Sequence, residues 1–369
     1  MTASLRAIDT WVTAAIASAL AALAGCAPAS PPNWDAIAAR NPAPTVTALR
    51  ETDAVATTNA DAADDPAIWR NPADPAASLI VATDKRAGLI VYDLSGRQRH
   101  IARAGRVNNV DLLTLTVRGK PLVLVAASDR NDVAAARIAL FSLDPATATL
   151  AAIGSVPAGA GEAYGLCLAA NGDSADAFLV LKDGTIRQIA LDLAGAAPRG
   201  VIVRTMKLAT QSEGCVVDPR TRRLYVAEED VGIWRFDARA DGAATPIRVA
   251  GVDGRRLVAD VEGLTIAPIG SGDGGYLIAS SQGDNAYALY ALADDRFVAR
   301  FRIARGAIGA TSETDGIDVA LGDFGAAFPQ GLMIAQDGDN APAAQNFKIV
   351  DWCAVAAIAA TAPGASAAR

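Results

Sequence analysis

The sequence predicts an all-β fold, a six-bladed β-propeller built from four-stranded antiparallel blades. An acidic or polar residue that precedes a short apolar run recurs six times along the 369 residues. The interval of about 50 residues is typical of propellers and related repeat folds. Each copy is followed by two short apolar stretches around a polar turn, the pattern of a β-hairpin. The alternative, a β-sandwich, has no reason to repeat at such an interval.

The repeats place the strands of each blade in order. The first strands are predicted to begin within 64–69, 109–113, 162–166, 211–217, 260–264 and 314–318. The hairpins that follow have predicted strands at 79–83 and 89–92, 122–127 and 136–143, 177–181 and 185–191, 224–227 and 232–236, 276–280 and 287–292, and 331–335 and 346–352. An earlier strand at 45–49 would complete the last blade and close the ring. No convincing amphipathic helix follows the N-terminal segment.

Residues 1–26 resemble a lipoprotein-type signal peptide. A lone Arg6 precedes an alanine-rich apolar stretch that is short for a membrane span. The stretch ends in Leu23-Ala24-Gly25-Cys26, which resembles the lipobox of bacterial lipoproteins, so we expect cleavage before Cys26 and its lipidation. A plain secretory peptide with an incidental cysteine is the alternative. Either way we expect export, to the periplasmic face of the outer membrane as a lipoprotein or into the medium.

The remaining boundaries follow from composition. Residues 27–42, rich in proline and alanine, would be a flexible tether, and 43–355 the propeller. Residues 356–369 would be a disordered tail. The net charge of -7 and the pI near 4.9 disfavour a nucleic-acid partner, which needs a basic face. An acidic site can still recruit a divalent cation and then a small phosphorylated substrate, and we expect the chain to act as a monomer.

Cys167, Cys215 and Cys353 remain after the N-terminal segment. Cys167 and Cys215 occupy similar points of successive repeats, so they would either form a disulfide between neighbouring strands or stay as buried thiols. His100 is the only histidine, and no zinc-type spacing of cysteine and histidine occurs.

The meander of a propeller blade brings charged residues together. The start of its first strand and the turn between its second and third strands lie at the same end of the channel. The acids expected there are Asp64, Asp65, Asp111, Glu213, Glu229, Asp260, Glu262 and Asp315. The cations expected beside them are Lys85, Arg86, Arg130 and Lys182.

This composition predicts a metal and phosphate site. Crowded carboxylates repel one another unless a cation compensates, and Ca²⁺ tolerates many flexible oxygen ligands better than Mg²⁺ or Mn²⁺. The long cations would then bind an anion such as phosphate, which metal-activated water could attack without a nucleophilic residue. The competing interpretation is a set of ordinary turns, with 228–230 as a solvated charge run.

Several ordered motifs resemble those of the β-propeller phytases. They lie at 61–69, 108–111, 228–234, 280–283 and 345–348, and the similarity runs from about residue 53 to residue 352. The resemblance implies a six-bladed propeller that hydrolyses phytate, myo-inositol hexakisphosphate, with calcium, as a phosphoric monoester hydrolase of 3-phytase type. It also implies a cleavage subsite for the scissile phosphate and an affinity subsite for a second phosphate.

The resemblance assigns roles by position. Calcium-binding or metal-lining positions would be Asp64, Asp65, Glu213, Glu229, Asp260, Glu262, Gln282 and Asp315. Phosphate contacts and catalysis would fall to Lys85, Arg86, Arg130, Tyr164, Lys182 and Glu213. Arg86 stands where better-known members have lysine, and 306–311 lacks an acid that some members carry. Asp337, Asp339 and Asn340 form a candidate structural calcium loop.

Two other functions remain open at this point. A metal-dependent propeller lactonase or esterase would need the acids but not four cations around them. A non-catalytic calcium-binding propeller would use the metal for stability alone.

Overall fold

Six β-sheets make up most of the regular structure in residues 33–362, the part of the chain that this computed structural model describes. A short helix and two short strands precede the first complete sheet: α1 (Trp34–Arg40), β1 (Thr45–Thr47) and β2 (Arg50–Glu51). The predicted signal peptide and Cys26 lie outside the described residues.

The first three sheets are four-stranded meanders. Blade 1 comprises β3 (Ala63–Trp69), β4 (Leu79–Asp84), β5 (Gly88–Asp93) and β6 (Gln98–Arg103). Blade 2 comprises β7 (Val107–Val117), β8 (Lys120–Asp129), β9 (Ala135–Asp144) and β10 (Thr149–Ala160). Blade 3 comprises β11 (Ala163–Asn171), β12 (Ser174–Leu181), β13 (Thr185–Asp192) and β14 (Arg199–Lys207).

The next three sheets complete the ring. Blade 4 comprises β15 (Ser212–Asp218), β16 (Arg223–Glu228), β17 (Gly232–Asp237) and β18 (Ile247–Gly251). Blade 5 comprises β19 (Val261–Pro268), β20 (Gly275–Ser281), β21 (Ala286–Ala291) and β22 (Phe297–Ala304). Blade 6 comprises β23 (Ile317–Leu321), β24 (Gly331–Asp337), β25 (Asn346–Asp351) and the N-terminal β2. The predicted all-β, six-bladed propeller of four-stranded antiparallel blades is confirmed.

The N-terminal strands close the ring differently from the prediction. The pair Arg50–Glu51 forms β2 and lies antiparallel to β25, so it supplies the fourth strand of blade 6. The strand β1 instead pairs in parallel with β22 and adds a fifth strand to blade 5. The prediction of a single strand at 45–49 that completes the last blade is therefore wrong. The chain passes from blade 5 to blade 6 within this segment, and β2 completes blade 6.

The structure contains two helices in segments that were predicted to be flexible or disordered. The helix α2 (Trp352–Thr361) begins where Asp351 accepts a hydrogen bond from the Cys353 amide, and its Val355 and Ala359 are buried against blades 5 and 6. The prediction of a disordered tail is therefore wrong for residues 356–361. The helix α1 lies within the segment that was expected to be a flexible tether. Neither helix of the described segment is long and apolar enough to cross a membrane.

The inner strands surround a narrow central channel. Residues from all six blades line a 50 Å³ cavity there, among them Pro66, Val110, Leu166, Cys215, Leu264 and Ile317. A disulfide joins Cys167 of β11 to Cys215 of β15, and so links the inner strands of blades 3 and 4. The disulfide alternative is therefore the one that the structure contains, and Cys353 is a free thiol.

A buried lysine secures the ring closure. The Lys348 side chain is 0% exposed, and its ammonium lies 2.6 Å from Glu51 Oε2 and 3.1 Å from Asp337 Oδ2. It also donates to the side-chain oxygens of Asn340 and Asn346. An ammonium group thus fills the place between oxygens of the candidate calcium loop, and it ties the N-terminal strand to the last blade.

Replacing Lys348 by Met should lower the free energy of unfolding by about 3–5 kcal/mol, because it leaves a buried carboxylate without its cation. Chemical denaturation in urea measures the loss. Lys207→Met is the matched control, since Lys207 pairs with Asp183 at the surface and should contribute only about 0–1 kcal/mol. Equal losses in the two variants would contradict a special role of Lys348 in closure.

Candidate active site

A β-bulge sits at the start of the inner strand in four blades, at the same point each time. The pairing register shifts between Ala63 and Pro66 in β3, and at the equivalent places in β7, β15 and β19. The residues inside these bulges include Asp64, Asn108, Glu213 and Glu262. Because a bulge interrupts the alternation of a strand, it can re-aim a side chain. Blade 3 has a shorter shift at the same place, and it contains Tyr164.

Glycines let the bulged segments approach one another. A Cβ atom at Gly214 would lie 2.2 Å from the carbonyl oxygen of Glu262, and one at Gly263 would lie 2.6 Å from that of Asp315. The Gly263 amide instead donates to Asp315 O at 2.8 Å. The acid–glycine pairs of the sequence therefore lie at close backbone contacts between neighbouring blades. They are not the simple turns of the competing interpretation.

Three glutamates from three strand ends or turns meet in one cluster. Carboxylate oxygens of Glu213, Glu229 and Glu262 all lie within 4.8 Å of one another, and all three residues are buried. Glu213 Oε1 accepts a hydrogen bond of 2.8 Å from Asn108 Nδ2, and Glu229 Oε2 accepts one of 2.7 Å from Gln211. The cluster therefore joins blades 2, 4 and 5.

Several buried carboxylate oxygens at the channel mouth lack a hydrogen-bond donor within the described residues. Both oxygens of Asp64, Glu229 Oε1 and Glu262 Oε2 accept no hydrogen bond from any residue in 33–362, although all are buried. Burial raises the pKa of Asp64 to about 7 and that of Glu229 to about 7. Burial, followed by the charge of Glu213, also holds the pKa of Glu262 well above its usual range. The mouth of the channel therefore has more negative charge than the neighbouring basic side chains neutralise.

Lys85 lies among these acids and pairs with two of their neighbours. Its ammonium lies 2.8 Å from Asp315 Oδ2 and 2.9 Å from Asp61 Oδ2. Burial alone would lower the pKa of Lys85, but the charges of Asp64 and Asp315 outweigh it and raise that pKa. Lys85 therefore stays protonated.

Arg130 and Lys182 both lie close to one aromatic ring. The Arg130 guanidinium carbon and the Lys182 ammonium nitrogen are each 5.1 Å from the centre of the Tyr164 ring. Arg130 also donates to Glu162 Oε1 and to Asn108 Oδ1. Burial and the charge of Glu213 raise the pKa of Tyr164, so its hydroxyl keeps its proton.

The other expected site residues divide into two groups. Gln282 donates to Asp315 Oδ1 at 2.6 Å, and Asp260 lies close enough to Glu229 for its charge to raise the pKa of that glutamate. Arg86 is exposed at the rim of a 350 Å³ cavity that Lys85 and Arg130 also line. These residues join the site as expected.

Two of the expected acids turn away from the mouth. Asp65 Oδ2 accepts a hydrogen bond of 3.0 Å from the Val110 amide, and Asp111 Oδ2 accepts one of 2.7 Å from the Leu168 amide. Both line the small cavity further down the channel, and burial raises the pKa of Asp111 to about 7. They hold neighbouring inner strands together, which corrects the placement of both Asp65 and Asp111 among the acids of the mouth.

Four residues complete the site without having been assigned to it from sequence. They are Asp61, Asn108, Glu162 and Gln211, and each one bonds to a residue that was assigned. Asp61 and Asn108 lie inside motifs of the resemblance, so a signal for them existed. Glu162 and Gln211 are the first residues of the repeated windows 162–166 and 211–217, so the repeat itself was a signal for them.

The oxygen donors at the mouth fit calcium. The donors are carboxylates and amides from several blades, and four of the buried carboxylate oxygens have no other partner. Hard cations prefer such ligands, and Ca²⁺ accepts the largest and least regular sets. Glu213, Glu229, Glu262 and Asp64 are the residues that would hold it.

Glu262→Gln tests whether this buried charge needs a cation. In a chelator the variant should melt at or above the temperature of the wild type, because an uncharged amide does not repel Glu213. With calcium it should melt lower, because the metal loses a ligand, and each kcal/mol corresponds to about 2–4 °C in differential scanning calorimetry. The exposed control Asp273→Asn should move neither temperature. An equal drop in both buffers would mean that Glu262 acts through packing alone.

The comparisons with solved structures carry no inference. A chain of a crystal structure of the mitotic checkpoint complex matches with a TM-score of 0.46 and 13% identity, over 80% of this chain and 82% of that one. A chain of Kuenenia stuttgartiensis hydrazine synthase matches with a TM-score of 0.48 and 11% identity, over 77% and 82%.

The sequence comparisons are much stronger. A 3-phytase of Bacillus subtilis (strain 168) is 41% identical over 324 residues, which cover 83% of this chain and 83% of the relative. The family model described as Phytase matches residues 10–364. With the propeller, its acidic mouth and the cations beside it in place, these matches show that the chain belongs to the phytase family.

Proposed function

We propose that this chain hydrolyses phytate to lower inositol phosphates and inorganic phosphate, with calcium ions as its cofactor. The observation that carries the proposal is the meeting of two opposite sets of charge at one channel mouth. Buried carboxylate oxygens that accept no hydrogen bond from the described residues lie at the same mouth as Lys85, Arg130 and Lys182, which suits a cation together with the phosphate that it attracts. Membership of the phytase family supports the same substrate.

Calcium held by Glu213, Glu229, Glu262 and Asp64 would acidify bound water and neutralise charge on phosphate oxygens. The protein residues then have separate tasks. Glu213 is fixed by Asn108 on one oxygen, so its carboxylate keeps one orientation toward the cluster. Asp315 is fixed by Gln282 and Lys85, which leaves little freedom for the acids to spread apart.

The cations would bind the phosphate that is cleaved. Lys85 offers a point charge, and Arg130 offers a planar group whose orientation Tyr164 and Glu162 already fix. In the transition state, charge spreads over the equatorial oxygens of phosphorus, so fixed donors around them stabilise it more than the ground state. Tyr164 keeps its proton and can donate a hydrogen bond to the same group.

The rival functions explain less of the site. A lactonase or esterase has no anionic substrate group to which Lys85, Arg130 and Lys182 could all bind. A propeller that only binds calcium gives the cations no role beyond charge compensation, and beside the metal they would repel it.

The remaining features of the proposal concern the setting of the enzyme. We infer export, with a lipid anchor at Cys26 and otherwise no contact with a membrane. We also infer action as a monomer on a small-molecule substrate, phytate as its calcium complex, without a nucleic-acid partner. The acidic chain and the resemblance of its N-terminal segment to lipoprotein signals support this.

Removal of calcium should abolish the activity. We expect EDTA to reduce phosphate release from phytate about 100-fold or more, and excess Ca²⁺ to restore it, because both water activation and charge neutralisation are lost with the metal. Colorimetric phosphate detection measures the rate. Undiminished release in EDTA would reject the calcium mechanism.

Two substitutions should separate chemistry from folding. Lys85→Ala and Glu213→Gln should each reduce kcat/KM for phytate by about 10²–10³-fold, while the circular dichroism spectrum stays that of the wild type. Lys120→Ala, at an exposed position where β8 begins, is the control and should keep full activity. Near-normal rates in both site variants would overturn the assignment of this channel mouth as the active site.

A further inference from the structure

The disulfide Cys167–Cys215 lies close in the chain to the residues of the channel mouth. Cys215 is two residues beyond Glu213 in β15, and Cys167 is three residues beyond Tyr164 in β11. Both cysteines are buried, and β15 returns to regular pairing at Cys215, where the bulge that contains Glu213 ends. The two strands also approach closely at the mouth, since a Cβ atom at Gly165 would lie 1.8 Å from Glu213 O. The disulfide therefore fixes the base of this bulge to blade 3.

At four other junctions between inner strands, a side-chain oxygen accepts a hydrogen bond from a backbone amide of the next strand. These acceptors are Asp65, Asp111, Thr265 and Asp318. Asp111 is the fifth residue of β7, and it accepts from the Leu168 amide of β11. Cys167 is likewise the fifth residue of β11. The disulfide thus stands where a carboxylate joins blades 2 and 3, and it makes the corresponding connection to blade 4 covalent.

The junction between blades 4 and 5 has no connection of this kind. The fifth residue of β15 is Val216, whose side chain has no polar atom, and among residues 33–362 no side-chain hydrogen bond joins β15 to β19. The glutamate cluster spans this same junction, because Glu213 and Glu229 belong to blade 4 and Glu262 belongs to blade 5. Side-chain bonds therefore position β15 from its blade 3 side, while the acids repel one another on the other side.

We propose that the Cys167–Cys215 disulfide is a positioning element for calcium binding, which holds β15 so that Glu213 faces Glu229 and Glu262 in the absence of metal. This inference rests on calcium as the cofactor of the proposed function. A preorganised set of ligands loses less conformational entropy when the metal binds. The disulfide should therefore lower the calcium concentration that the enzyme needs without changing the chemical step. The simpler alternative is a disulfide that only stabilises the fold.

The repeat itself suggests the variants. Cys167→Ala with Cys215→Ala removes the connection between β11 and β15. Cys167→Asp with Cys215→Ala instead places a carboxylate at the position that corresponds to Asp111. It could bind the amide of Val217, which is the sixth residue of β15 as Leu168 is of β11. Val91→Ala is the control, because it truncates a fully buried side chain in β5 of blade 1 and lowers stability away from this junction.

Isothermal titration calorimetry of Ca²⁺ into the metal-free full chain measures the affinity without catalysis. The Kd of the cluster is the one that Glu262→Gln also raises. We expect Cys167→Ala/Cys215→Ala to raise this Kd about tenfold, and the calcium concentration for half-maximal phytate hydrolysis by a similar factor. At saturating calcium, kcat should stay within about twofold of the wild type. Cys167→Asp/Cys215→Ala should recover most of the affinity, and Val91→Ala should melt lower with an unchanged Kd.

The calcium titration separates positioning from stability. An unchanged Kd in folded Cys167→Ala/Cys215→Ala, or an equal rise in Val91→Ala, would overturn the positioning role. If the alanine pair does not fold, Cys167→Val/Cys215→Val keeps more of the buried volume without the bond and takes the same test. A wild type that bound calcium at the cluster but released no phosphate from phytate would refute the proposed function. The titration would still decide the role of the disulfide.

Discussion

Repulsion among buried carboxylates is the constraint on which this channel mouth depends. Asp64, Glu213, Glu229 and Glu262 come from blades 1, 4 and 5, and burial raises the pKa of each. Their positive neighbour Lys85 compensates part of this charge, and a bound divalent cation is the natural source of the rest. The arrangement without a cation is therefore costly, and a bound metal would relieve that cost.

Such a site can exist only in a closed ring. The acids reach one point because the inner strands of blades 1, 2, 4 and 5 carry a bulge, and because Gly214 and Gly263 let the next blade come close. Ring closure in turn depends on β2 pairing with β25 and on the buried Lys348, which binds Glu51 of the N-terminal strand. Stability and function thus depend on the same closed ring, because opening the ring would separate the acids that would hold the metal.

Sequence reasoning succeeded where local signals are strong. Apolar runs around polar turns located the hairpins to within a few residues, and repetition gave the number of blades. It failed where the structure depends on contacts between residues that are far apart in the sequence. The helix α2 is rich in alanine, so its buried and exposed faces differ little in hydrophobicity, and only the buried Val355 and Ala359 reveal its packing. The crossing of 45–51 between two blades depends on partners about 260 and 300 residues away in the chain, near Arg302 and Ile349.

The same distinction explains what was found of the site. Acids at strand starts could be recognised from their repetition, but not which of them point inward. Asp65 and Asp111 follow the same pattern as Asp64, yet their carboxylates bind backbone amides of neighbouring blades. A carboxylate that satisfies a buried amide is a poor metal ligand, because it would have to leave that amide without a partner. The free carboxylate oxygens of Asp64, Glu229 and Glu262 are therefore a better guide to the metal than the number of acids in the repeat.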